Sequence, residues 1–183
     1  SIVNSFIFIK KNAVSKQKCK NIIDVLNTSK LNPGSSEMIK DFYNGMSVDV
    51  YESEWRHDLF NCILEYKNQH KFLDNIYHCE WKVQAGCNYQ KYKPRQTYSL
   101  EHCEQGGQDH DKRRMLVWSI YCNTINKGGE TYFPQQDTSI YPEQGTIAIW
   151  PAAWTHSHYG KPAPKEHKYI VTGWANYLDP SNK

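Results

Sequence analysis

Between about residue 80 and residue 177 the chain is cut by turn formers at short, regular intervals, which leaves it few ways to fold. Apolar or alternating runs at 79–92, 114–122, 130–134, 138–141, 145–150 and 168–177 are separated by Lys93-Pro94, Gly106-Gly107, Gly128-Gly129, Pro142 and the stretch from Pro162 to Pro164. Such runs suit strands joined by tight connections. Many short strands at this spacing point to an antiparallel sandwich or jelly roll.

The earlier part of the chain reads differently. Residues 2–9 look like a strand, and Ser15 is placed to cap a helix running to about 28. On that helix Cys19, Ile22, Ile23 and Leu26 share one face. Residues 29–36 read as loop, and a second helix is expected after Ser53, burying Trp55, Leu59, Cys62, Ile63 and Tyr66. The expectation is a mainly β fold with flanking helices, as a single domain over 1–183. Residues 1–78 would supply an N-terminal strand and supporting helices, and 79–178 a double-stranded β-helix (jelly-roll) core.

Composition narrows the function classes. A net charge of +3 on 183 residues leaves no strong footprint for nucleic acid. No apolar run approaches a membrane span, and the first ten residues are too short and interrupted for a signal peptide. A soluble, cytoplasmic protein is the expectation. The six cysteines, at 19, 62, 79, 87, 103 and 122, form no Cys-x-x-Cys pair, which argues against a zinc ribbon or thioredoxin-like site. They read as small apolar residues in a reducing compartment.

Three features carry chemistry. In His102-Cys103-Glu104 the imidazole and carboxylate are two residues apart, so in an extended chain they face the same way. A second imidazole from an opposing strand would complete a facial triad, the ligand set for Fe(II) that keeps three positions open. Two residues could supply it, His156 and His158. Finally, the strand from Lys168 to Trp174 would place Lys168, Ile170, Thr172 and Trp174 on one face. A lysine on an inward, otherwise apolar face requires an anion.

Taken in order, these segments resemble the prolyl 4-hydroxylase branch of the Fe(II)/2-oxoglutarate oxygenases. The stretch from Tyr92 through Tyr98 to His102 and Glu104 corresponds to the family's tyrosine-rich lead into its His-x-Asp pair. Arg114 followed by the run to Tyr121 and Asn123, the intact Gly-Gly-Glu-Thr-x-Phe from Gly128 to Phe133, and the turn from Pro142 to Gly145 follow in the family's sequence. The series closes with His158-Tyr-Gly160, Lys168 ten residues later and Trp174 six beyond that.

The resemblance implies His102, Glu104 and His158 as the iron ligands, because His156 lies twelve residues from Lys168 and breaks the spacing. It implies Lys168 and the Tyr92 hydroxyl as partners of the distal 2-oxoglutarate carboxylate, with Trp174 near the cosubstrate or the substrate mouth. It implies Fe(II), 2-oxoglutarate and O2 as cofactors, ascorbate as reductant, and a peptide or protein substrate hydroxylated at C4 of a proline, with succinate and CO2 as co-products. Related activities on a free amino acid, another protein side chain or a nucleobase are the alternatives within the class. A metal-binding recognition module without turnover is the alternative outside it. Arg114 receives no catalytic role from the motif and reads equally as a structural ion pair.

Three departures from the family pattern are present. Glu104 replaces the usual Asp; one extra residue lies between Tyr92 and His102, where a bulge would offset the longer Glu side chain; and Arg95 stands where a Gly is usual. If that Gly has positive φ, the turn at Arg95 is expected to differ. Residues 35–52 and 104–113 are candidate mobile loops over the site, with Gly106-Gly107 as a hinge in the second.

Overall fold

The structure, a computed structural model, describes residues 3–35, 42–179 and 181. Its elements are β1 (Phe8–Lys10), α1 (Lys16–Thr28), β2 (Asn32–Gly34), β3 (Tyr43–Asp49), α2 (Arg56–Gln69), β4 (Trp81–Val83), β5 (Gly86–Tyr92), β6 (Arg114–Tyr121), β7 (Thr131–Phe133), β8 (Thr138–Ile140), β9 (Thr146–Pro151), β10 (Tyr159–Gly160) and β11 (Lys168–Tyr177). An antiparallel major sheet runs β1-β9-β6-β11-β5-β3-β2, with β4 also paired to β11; a minor sheet runs β10-β7-β8. This is the expected jelly roll with flanking helices.

Each face of the major sheet meets its own core. On one face Leu116, Trp118, Ile120, Ile147, Ile149 and Val171 pack against Cys19, Ile22 and Leu26 of α1 and Leu59, Cys62 and Tyr66 of α2. On the other, Val117, Tyr121, Ala148, Trp150 and Ile170 pack with Phe133 and Ile140 of the minor sheet. Strand β6 is covered on both faces, which is why it reads as a nearly unbroken apolar run rather than an alternating one. Helix α1 begins as expected, with the Ser15 hydroxyl accepting from Lys18 N at 3.2 Å.

Several expectations are corrected. The first strand begins at Phe8, not near residue 2. Phe6 has φ 59°, and its N–H is taken by Asn4 Oδ1, so the chain turns there before it can extend; Ile2 lies outside the described residues. Helix α2 does begin after Ser53, with buried Trp55 at its N-cap, while the Ser53 hydroxyl donates to Val50 O and closes the preceding 3-10 turn.

The interval 29–36 contains β2, and most of 35–52 is ordered structure. Strand β3 pairs with β5 along its length, and a 3-10 turn follows at Val50–Glu52. Met46 and Val48 pack on the helix-side core, and that burial outweighs the Asn-Gly that reads locally as a turn. Residues 36–41 of that interval are outside the described residues. The 104–113 segment is a series of turns tied by Gln108 N to Asp111 Oδ1 at 3.0 Å and by Lys112 to Asp109 at 2.8 Å.

Candidate active site

The cavity follows from the strand register. Lys168 pairs with Tyr92, Ile170 with Gln90 and Tyr121, Thr172 with Asn88 and Ser119, and Trp174 with Val117. Directly opposed residues share a face, so Lys168, Ile170, Thr172 and Trp174 point together into the jelly roll, as their spacing indicates. They line a cavity of about 250 Å³ whose other walls include Tyr43, Tyr98, Thr131 and Trp150.

His102, Glu104 and His158 meet at one end of this cavity, with one donor atom from each lying within 4.8 Å of the others. Glu104 Oε1 is 3.1 Å from His102 Nε2 and 3.4 Å from His158 Nε2. The two histidines are brought together by an isolated antiparallel bridge between their backbones. Glu104 is fixed by its N–H donating to Ala152 O at 3.1 Å. His156 is turned away, buried, with Nε2 on Ser5 O at 2.8 Å and Nδ1 on Thr155 Oγ1 at 2.9 Å.

The donor set suits a cation. His102 Nδ1 lies 2.8 Å from Leu100 O and His158 Nδ1 lies 2.9 Å from His156 O. A carbonyl can only accept, so both Nδ1 atoms carry hydrogen, and in the neutral rings both Nε2 lone pairs point at the carboxylate. Three acceptors facing one another repel unless a positive charge sits among them. The electrostatics agree in direction. Burial works against charge on His102, but the hydrogen bond and charge of Glu104 outweigh it and raise its pKa. Burial likewise opposes the Glu104 carboxylate, yet His102 and His158 hold it well below the usual carboxylate range. Two imidazoles and one carboxylate, clustered on one side, are the set that fits Fe(II).

At the other end Lys168 is 9 % exposed, and its ammonium lies over the rings of Tyr92 and Tyr121 at 5.6 and 5.8 Å. Burial pushes its pKa down to about 8, opposed only through space by Glu130. Tyr92 does not extend a free hydroxyl: it donates to Gln90 Oε1 at 2.9 Å. Burial, followed by neighbouring charges, holds Tyr92 well above the ordinary phenol range, so it remains a donor.

Some residues at the site were not picked out by sequence reasoning. Tyr121 pairs with Thr131 at 2.9 Å beside Lys168, and both lie inside motifs that were visible. The Tyr98 ring rests on His102, with centroids 4.2 Å apart. Trp174 lines the cavity, and its indole donates to Glu104 Oε2 at 3.1 Å. Arg114, read as a possible structural ion pair, approaches that same oxygen at 3.6 Å.

The turn at Arg95 does not avoid the glycine-like conformation. Arg95 itself adopts φ 73°, and its N–H donates to Ala163 O at 2.7 Å. The extra residue before His102 is absorbed by an irregular connection beyond the end of β5 rather than by a bulged strand.

Residues 87–176 match the family described as the 2OG-Fe(II) oxygenase superfamily. No curated protein sequence matches the chain. Among solved structures, the fold is similar to the viral collagen prolyl hydroxylase of Paramecium Bursaria Chlorella virus-1 in its 2OG complex, with TM-score 0.69 and 19 % identity over 95 % of this chain and 97 % of that one. It is similar to a Pseudomonas putida prolyl-4-hydroxylase, with TM-score 0.70 and 16 % identity over 96 % and 94 % of the two chains. A Trichoplax adhaerens prolyl hydroxylase in complex with a hypoxia inducible factor oxygen degradation domain peptide gives TM-score 0.70 and 15 % identity over 94 % and 84 %. At these identities the likeness is one of fold.

Proposed function

The chain belongs to the 2OG-Fe(II) oxygenase superfamily, and from that premise we propose that it is a dioxygenase that hydroxylates peptidyl proline at C4. The observation that carries the reading is the placement of a two-histidine, one-carboxylate cluster and a buried lysine in one cavity. Bound Fe(II), with 2-oxoglutarate and O2, would supply the oxidising power to put oxygen into an unactivated C–H bond, leaving succinate and CO2.

The protein's own part is positioning. His102, Glu104 and His158 would hold the metal from one side and leave the cavity side open. Lys168 would pair with the distal carboxylate of 2-oxoglutarate, with the Tyr121–Thr131 pair and the Tyr92–Gln90 pair as polar neighbours. Tyr43 and Tyr98 line the same cavity, and Phe42 stacks edge-on against both. Such rings pack well against a proline and keep water from the reacting carbon. The fold shared with a peptide-bound prolyl hydroxylase supports an extended peptide as substrate. Among the described residues, no helix is long and apolar enough to cross a membrane.

The test has two parts. Fe(II) and 2-oxoglutarate added without oxygen should give the visible metal-to-ligand charge-transfer absorption of a chelated cosubstrate. Proline-rich peptides incubated with iron, ascorbate, 2-oxoglutarate and air should then gain one oxygen on proline, read by mass spectrometry. Oxygen found only on other residues removes the prolyl assignment. Failure to bind either iron or 2-oxoglutarate removes the oxygenase reading itself.

A further inference from the structure

Arg114 and Trp174 converge on a single oxygen of Glu104, and a slip in strand pairing puts the arginine there. Strand β6 runs opposite β11 in step as far as Leu116 and Ala175, after which Arg114, not Met115, faces Asn176. Met115 is the unpaired extra residue. Because opposed residues share a face, an unbroken ladder would have turned Met115 into the cavity and Arg114 out of it. Instead Met115 packs on the helix-side core, and its carbonyl accepts from Ala152 N at 2.9 Å. One bulge therefore exchanges a thioether for a guanidinium at the site.

The guanidinium is held in three ways. It stacks on the Trp174 ring at 3.8 Å, donates to the Glu104 carbonyl at 3.1 Å, and lies 3.6 Å from Glu104 Oε2. Trp174 donates its indole N–H to that same Oε2 at 3.1 Å. The other oxygen, Oε1, faces the two imidazoles.

We propose that Arg114 and Trp174 are positioning residues for Glu104, which hold Oε2 outside the metal centre so that the carboxylate offers Oε1 alone. The inference rests on the metal-site reading given above. Its physical basis is the added methylene of a glutamate. The longer side chain has one more free torsion than an aspartate and can swing both oxygens onto a metal, closing a position that must stay open. A charge-assisted bond to Oε2 removes that freedom. The same length lets the carboxylate span from the imidazoles to Trp174.

The test uses Co(II) binding to the otherwise unliganded protein, which reports affinity and, through its visible bands, coordination number without turnover. Trp174→Phe keeps an aromatic face for Arg114, though a smaller one, and removes the N–H donor. The expected result is a metal Kd raised about 10- to 100-fold, together with an altered band pattern. In a Glu104→Asp background the shorter carboxylate no longer reaches the indole, so Trp174→Phe should change Kd by no more than about twofold. Arg114→Lys, which keeps the charge but loses the fork and the stack, should shift affinity in the same direction as Trp174→Phe and gives a second, independent comparison. Wild-type affinity and bands in both single variants would overturn the inference while leaving the metal site standing. Wild-type protein that fails to bind Co(II) would overturn the metal site, and the inference with it.

Discussion

His102 and His158 face each other across an isolated backbone bridge, exchanging both hydrogen bonds at 3.0 and 2.9 Å, with their rings 4.5 Å apart. These two candidate ligands, 56 positions apart in sequence, are thus brought together by main-chain atoms. Removing either imidazole leaves the bridge intact, so a loss of metal binding can be assigned to the ring.

His158→Ala is therefore expected to lower Fe(II) or Co(II) affinity by about two orders of magnitude and to bring turnover to background, with little change in far-UV circular dichroism. His156→Ala should behave in the opposite way. Its side chain ties the 3-10 turn at Trp154–His156 to Ser5, so the variant loses about 1–3 kcal/mol of stability. The carbonyl that orients His158 is backbone and survives, so metal affinity and turnover persist. Metal titration and thermal unfolding of the two variants check this, and the reverse pattern would reassign the ligand.

With Lys168 as the proposed carboxylate partner, cosubstrate affinity is expected to depend on pH with a definite sign. Burial pushes the Lys168 pKa down to about 8, and a bound dicarboxylate would raise it. Below about pH 8 the lysine is already charged, so the Kd for 2-oxoglutarate is flat. Above that, binding must take up a proton, and Kd rises by about tenfold per pH unit until the pKa of the occupied site is passed. Calorimetry of the Mn(II)-loaded protein between neutral and alkaline pH measures the slope. Lys168→Met should weaken binding by about 30-fold or more and abolish the slope; an unchanged slope would mean that another group titrates.

Arg95 carries strain that a glycine would relieve. It is exposed and holds φ 73°. The left-handed region costs a side-chain-bearing residue about 1–2 kcal/mol, whereas glycine adds about 0.5–1 kcal/mol of chain entropy. Arg95→Gly is expected to raise stability by about 0.5–1 kcal/mol, seen as a higher midpoint in urea with an unchanged slope. Lower stability would show that the guanidinium contributes to the folded state.

What could be read from the sequence follows from how local the signals are. The α1 cap at Ser15, the helix faces and the long strands β6 and β11 are fixed by spacing within one element, and they appear where expected. The preference for His158 over His156 comes from the family resemblance, which sets ten residues between that histidine and Lys168. Strand β3 was hidden because its burial comes from β5 and the helices rather than from its own Tyr-Asn-Gly-Met pattern. The Arg114–Trp174–Glu104 contacts were hidden because they depend on a one-residue slip between β6 and β11, which no single segment encodes. Tyr92 lines the cavity beside Lys168, but its hydroxyl is claimed by Gln90, two residues back on the same face.

The Gly128 turn ties the fold to the Lys168 end of the cavity, and it offers the sharpest stability test. Gly128 has φ +80°, and a Cβ there would come within 2.3 Å of Pro162 O and 3.0 Å of Ala163 Cα, both backbone atoms with no side-chain torsion to yield. The same crossing is pinned two residues later, where Lys161 N donates to Glu130 O at 2.9 Å, next to Thr131 at the cavity wall. An added methyl must push the two segments apart, carrying Thr131 and its partner Tyr121 away from Lys168. Gly128→Ala is expected to cost about 2–4 kcal/mol, from positive φ together with the clash. Where the variant remains folded, its 2-oxoglutarate affinity should fall more than its metal affinity, since His102, Glu104 and His158 sit at the opposite end of the cavity. Denaturant unfolding gives the first quantity and separate metal and cosubstrate titrations the second; an equal loss of both affinities would mean that the turn supports the whole cavity rather than one end of it.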